Sequence, residues 1–220
     1  MIGMKTYTKI KGLTLLELLI VISIVSILAF VAVPAMDSTM KTNSVRSLQR
    51  TFLSAFAYAR GEAVARNKLI SICPSADEAT CSDDPLDWSA GWLVFEDVSG
   101  NGELDDGDVI LRASKYTGSS TARLFDTGAD TLTSITWNYR GYTEDENGDS
   151  FRAFLVVCPG DNDVHYARGM SLEKTGRTFL TRDIDGADGI HEISYEVDVN
   201  VAADDLPESP QIVTEQVSCG

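Results

Sequence analysis

Histidine is nearly missing from this chain. Its 220 residues include two, His165 and His191, and neither stands in an HExxH pair. GxSxG, CxxC and phosphate-loop spacings are absent too, so the usual metal-hydrolase, serine-hydrolase, dithiol and nucleotide chemistries have no residues to carry them, and the sequence reads as non-enzymatic. Positive charge is also short. Eighteen Lys and Arg stand against 33 Asp and Glu, a formal net charge of −15, which excludes a broad nucleic-acid-binding surface and leaves room for a local one only. The four cysteines lack the paired spacing of a zinc site. Beyond residue 68 no helix of crossover length separates the β-rich segments, which makes an antiparallel sheet the economical arrangement.

The charges are unevenly distributed. Residues 1–12 carry Lys5, Lys9 and Lys11 and no acid. Residues 13–33 then form a 21-residue apolar run whose one charge is Glu17. As a helix that run is roughly 32 Å long, enough to cross a bilayer core, and the preceding lysines orient the N-terminus toward the cytoplasm. Residues 35–68 hold six bases and two acids, and residues 69–220 nine bases and thirty acids. A cleaved secretory signal would have a shorter apolar core and a small-residue cut site, whereas this run continues to Pro34. A plain membrane anchor leaves Glu17 unexplained, because a carboxylate deep in an apolar segment costs about 2.5 kcal/mol or more.

The string KGLTLLELL, with Gly12, Leu13, Glu17 and later Pro34, resembles the class III signal of type IV pilins and pseudopilins. That resemblance implies cleavage by a prepilin peptidase after Gly12 and methylation of the new N-terminus at Leu13, where phenylalanine is commoner. It implies a retained apolar stem, with Glu17 pairing with the N-terminal amine of a neighbouring subunit so that two buried charges offset each other. The implied partners are other pilins, the peptidase and the inner-membrane assembly platform. The implied location is the bacterial inner membrane, crossed once with the head in the periplasm, and thereafter the filament.

After Pro34, helical spacing continues from about residue 35 to 67. Val45, Leu48, Phe52, Ala55, Phe56, Ala59 and Ala63 form one apolar stripe, and Arg46, Gln49, Arg50, Arg60 and Arg66 fall largely outside it. Pro34 lacks an amide and predicts a kink. Strands are predicted at 69–73, 91–97, 109–114, 134–140, 152–158, 168–173, 177–182 and, most clearly, 192–201, where Ile193, Tyr195, Val197, Val199 and Val201 alternate with polar residues. The expected fold is α+β, a pilin fold whose long N-terminal helix packs on an antiparallel β-sheet head. Its expected parts are a leader 1–12, a membrane and assembly helix 13–33, an amphipathic helix 34–68 and a periplasmic head 69–220.

The blocks AYARGEAVARNKLISICPS, GWLVFEDVSGNGELDDGDVILR and TGRTFLTR, with Cys81 between the first two, resemble the GspH/FimT group over residues 12–182. Members are minor pilins of type IV pili and the H pseudopilin of type II secretion; they join or prime filament tips without catalysis. The alternative within the group is a DNA-capturing FimT-type adaptor, for which Arg168, Lys174, Arg177 and Arg182 are the candidate contacts. Here TGR resembles the GRxR motif of those proteins, with the second arginine displaced to Arg182.

Outside the cytoplasm, Cys73, Cys81, Cys158 and Cys219 predict two disulfides. Of three connectivities, 73 with 81 across a short loop and 158 with 219 pinning the tail is favoured. Asp97, Ser99, Asn101, Asp105 and Asp108, with Gly102 at the turn, are spaced like an EF-hand loop and could hold calcium. Asp108 stands where a bidentate glutamate is expected, and the rival reading is a Gly-Asn turn with solvated acids.

Overall fold

The computed structural model describes residues 14–84, 88–126, 131–145, 147–181, 192–196, 212–216 and 219, without the side chains of 31–35, 192–196 and 212–216. The chain divides into two compact units, Met1–Met40 and Lys41–Gly220.

Helix α1 spans Leu15–Arg66 and is assigned continuously through Pro34. Thr14 starts it: its Oγ1 accepts the Glu17 amide at 3.2 Å, satisfying one of the free donors of the first turn. Asn67 ends it in the left-handed region at φ 56°, and Lys68 N–H returns to Ala63 O at 3.2 Å, the 6→1 bond of a Schellman stop.

In the second unit the strands form two antiparallel sheets and a separate pair. β1 (Ile70–Pro74), β2 (Gly91–Glu96), β3 (Val109–Lys115), β5 (Ile135–Trp137) and β6 (Thr143–Glu144) make a sheet in the order β3-β2-β1-β5-β6. β4 (Thr121–Asp126), β7 (Ala153–Cys158), β8 (Arg168–Leu172) and β9 (Thr178–Leu180) make the second, in that order. β10 (Glu192–Glu196) pairs with β11 (Ile212–Gln216).

One helix stripe serves both sheets. All seven stripe residues are buried, and they share a core with Ile70, Ile72, Trp92, Val94, Ile135 and Trp137 of the first sheet and with Ala122, Leu124, Ala153, Leu155, Val157, Met170 and Leu172 of the second. Phe52 meets Trp88 edge-on with ring centroids 5.9 Å apart, and Phe56 packs tilted against Trp137 at 5.6 Å. Burying each such ring stabilises the fold by about 2–3 kcal/mol. Period two sends the alternate residues to the opposite faces, which are apolar as well: Phe154, Val156 and Cys158 pack with Ala167 and Cys219, and Cys73, Leu93 and Phe95 with Cys81 and Leu104. The disulfides Cys73–Cys81 and Cys158–Cys219 close over these outer faces. Strands buried on both sides read as unbroken runs such as AFLVVC, which conceal their alternation.

Three expectations change. There are two main sheets where one was expected. β4, β6 and β11 were not anticipated, because TARLFD, TE and IVTEQ are short or polar and become strands through their partners, as β4 does along β7. Gln49, expected on the wet side, is buried and donates from Nε2 to Gly169 O at 2.8 Å, tying α1 to β8.

Candidate functional site

The first candidate is the apolar start of α1. The large apolar side chains from Leu15 to Phe30 are exposed, from Val21 at 49% to Phe30 at 85%. Leu18, Leu19, Ile20, Val21 and Ile22 are consecutive, so the apolar surface runs right round the helix, unlike the one-sided stripe that follows. Ser23 and Ser26 turn their hydroxyls back onto Ile20 O and Ile22 O at 2.8 and 2.6 Å, which lets them sit in an apolar setting without a stranded donor. Glu17 is exposed in the first turn, where the helix dipole favours a carboxylate. Gly12 and Leu13 lie outside the described residues, as does the side chain of Pro34. Among the described residues no helix is long and apolar enough to cross a membrane.

The second candidate, the connection from β2 to β3, folds on its own hydrogen bonds. Buried Asp97 accepts from Ser71 Oγ at 2.7 Å, from Gly102 N at 2.9 Å, and from Gly100 N and Ser99 Oγ. Asp108 accepts from the amides of Val98 and Asp105, each at 2.9 Å, and Asn101 donates to Asp105 at 2.8 Å. The five candidate calcium ligands are therefore not gathered into one cage: their oxygens hold the turn. Among the described residues no group of three His, Cys, Asp or Glu is placed to hold a metal ion.

The third candidate is the basic hairpin. β8 and β9 pair with Leu172 opposite Thr178, and the turn closes with Glu173 N–H to Arg177 O at 2.9 Å and Gly176 N–H to Glu173 O at 2.7 Å. Lys174 and Arg177 sit at that turn. Arg168 is at the other end of β8, roughly 13 Å along the strand. It is half-buried and donates to Ala167 O at 2.7 Å, and burial, with Arg46 nearby, lowers its guanidinium pKa. Arg182 is outside the described residues. The described members of the cluster do not converge.

Arg60, Arg140 and Arg177 instead line one cleft. Arg60 Nε donates to Gly141 O at 3.0 Å. Gly141 and Gly176, at φ 79° and 70°, lie so close that a Cβ on Gly176 would fall 2.0 Å from Gly141 O. Two left-handed glycines thus let the turn of the first sheet touch the turn of the second, with Arg60 of the helix bonded between them.

Residues 49–176 match the family model for the type II transport protein GspH. The chain belongs to the GspH family. Residues 7–33 match the prokaryotic N-terminal methylation motif. Among solved structures, the chain is similar to the type IV minor pilin FimU of Pseudomonas aeruginosa strain PAO1 in two crystal forms. In space group P21 the identity is 21%, covering 64% of this chain and 90% of FimU with a TM-score of 0.46; in P65 it is 20%, covering 64% and 91% with 0.43. No curated protein matches the chain.

As a GspH-family member with a methylation motif, the chain is a structural pilin-like protein and not an enzyme. Family and motif together indicate a membrane-anchored, pilus-associated protein that meets other pilins and the prepilin-processing machinery. Some of its functional side chains escape sequence reasoning. Thr14 was legible in hindsight, because Thr14 and Glu17 have the T-x-x-E spacing of a capping box. Arg60 and Arg140 carried no signal, being brought to Arg177 from separate elements by two glycine turns.

Proposed function

We propose that the chain is a minor pilin or pseudopilin whose work is assembly. Prepilin peptidase removes residues 1–12, Leu13 becomes the methylated N-terminus, and residues 13–33 span the inner membrane until they pack into the apolar core of a filament. The amphipathic helix 34–68 and the head 69–220 stay outside and make contacts at or near the tip. One observation carries this reading: the first helical turns are apolar on every side, with Glu17 as their one charge. A helix apolar all round gains by burial in lipid or among other helices. Pairing Glu17 with the amine of a neighbour's Leu13 offsets the cost of desolvating both. Nucleic-acid capture is the weaker reading, since the described bases of its cluster are split between the two ends of β8.

The test is incorporation. In a host with the assembly machinery, wild-type chain should appear in the sheared filament fraction, and Glu17→Ala should be cleaved normally yet largely excluded. Equal incorporation of the two would contradict the proposal.

A further inference from the structure

A groove of about 750 Å³ runs between the exposed side of α1 and edge strand β9. Ala57, Gly61 and Val64 form its helical wall, and Phe179, 54% exposed, stands on the opposite side. Arg60, Arg140 and Arg177 line it. Among the described residues, no carboxylate lies within ion-pair distance of any of the three. Arg140 rests on its neighbour Tyr139, 5.4 Å from the ring centroid.

That is an unusual place to leave cations unanswered. Residues 69–220 hold thirty acids, and elsewhere the chain uses them, as in Arg152 with Glu173 at 2.7 Å and Lys41 with Asp161. Three guanidiniums lining one groove, brought to it by two left-handed glycine turns, give it a local positive charge that an anionic ligand would complement. The groove is also partly apolar, and β9 is the outer strand of its sheet, so an extended chain could lie alongside it. A cleft of about 390 Å³ lined by Asp83, Glu103, Asp126, Glu144 and Asp145 repels the same ligand, and one of about 490 Å³ along α1, lined by Arg46 and Arg50, lacks an edge strand beside it among the described residues.

We propose that this groove docks an extended acidic segment of a neighbouring protein. Its carboxylates pair with Arg60, Arg140 and Arg177, and an apolar side chain seats over Gly61 against Val64 and Phe179. The groove belongs to the second unit, and its use does not depend on how the stem assembles.

Gly61 supplies a clean probe. A Cβ built there meets nothing within 4 Å, so Gly61→Leu fills the groove while replacing a poor helix former with a good one. Full-length chain in detergent micelles is titrated with a labelled peptide of alternating glutamate and valine, with its lysine-valine counterpart, and with a short DNA duplex. The acidic peptide should bind and the lysine peptide should not. Gly61→Leu and Arg177→Gln should each weaken binding about tenfold or more, with the melting temperature held or raised. Arg177 is exposed, so its variant keeps the experiment decisive if Gly61→Leu folds poorly. The proposal is overturned if the acidic peptide fails to bind, if both variants bind it as wild type does, if DNA binds through Arg177 in its place, or if the groove serves only self-association of the chain.

Discussion

The bridge from Cys158 to Cys219 should contribute more to stability than the bridge from Cys73 to Cys81, and the structure sets the ratio. Their sequence separations are 61 and 8 residues. Loop-closure entropy in the unfolded chain then gives roughly 4 kcal/mol for the first and roughly 2.5 for the second. Packing adds to the difference, since Cys158 and Cys219 are both buried against Phe154, Val156 and Ala167 on the outer face of the second sheet. The perturbation is the pair Cys158→Ala with Cys219→Ala, compared with Cys73→Ala with Cys81→Ala, in full-length chain under non-reducing conditions. For a unit of this size each kcal/mol moves the melting temperature by about 2–4 °C, so losses of about 8–16 °C and 5–10 °C are expected. The first variant should also bind an apolar dye more strongly than the second, as its outer face comes uncovered. A larger loss from the short bridge, or a loss under about 1 kcal/mol from the long one, would refute the reasoning.

Trp88 Nε1 donates to Leu132 O at 2.8 Å, whereas buried Trp137 Nε1 is the one buried side-chain polar atom without a partner among the described residues. Trp88→Phe should therefore cost about 1 kcal/mol more in denaturant unfolding than Trp137→Phe, and the reverse order would count against the packing described. Asp97→Ala should cost about 2–3 kcal/mol in chelator-treated buffer, because its buried carboxylate accepts from Ser71 and from the Gly100 and Gly102 amides; a cost that appears only with calcium present would restore the metal reading. Asp77 accepts from the Ala79 and Thr80 amides, the Thr80 hydroxyl and Ser75, which holds its carboxyl well below the usual carboxylate range. A depressed pKa means stability present above the unfolded value and lost as pH falls through the folded one. The melting-temperature gap between wild type and Asp77→Ala should thus be full near neutrality and shrink below about pH 4, and a gap that widens in acid would oppose it.

The helix stripe was readable because 3.6-residue spacing states directly which side chains share a face: all seven expected residues are buried. Gln49 was not, because its position beside Leu48 says nothing of the Gly169 carbonyl waiting on β8. The division into two sheets was hidden for a similar reason. Ile70–Pro74 pairs with both Gly91–Glu96 and Ile135–Trp137, a choice between distant segments that no local pattern records. Runs such as AFLVVC, apolar on both faces, did not show which residues meet the helix. The groove was the least legible of all. Its three arginines come from α1, the β5–β6 turn and the β8–β9 turn, and what joins them is the left-handed backbone of Gly141 and Gly176.

In the proposed assembly role, residues 1–12 are a leader and the apolar helix is kept. The most direct measurement is the intact mass of the chain purified from a host that carries prepilin peptidase. A species beginning at Leu13, with the added mass of one methyl group, is the predicted result. A chain that retains Met1, or one cut after Val33 so that the apolar run is lost, would contradict the account.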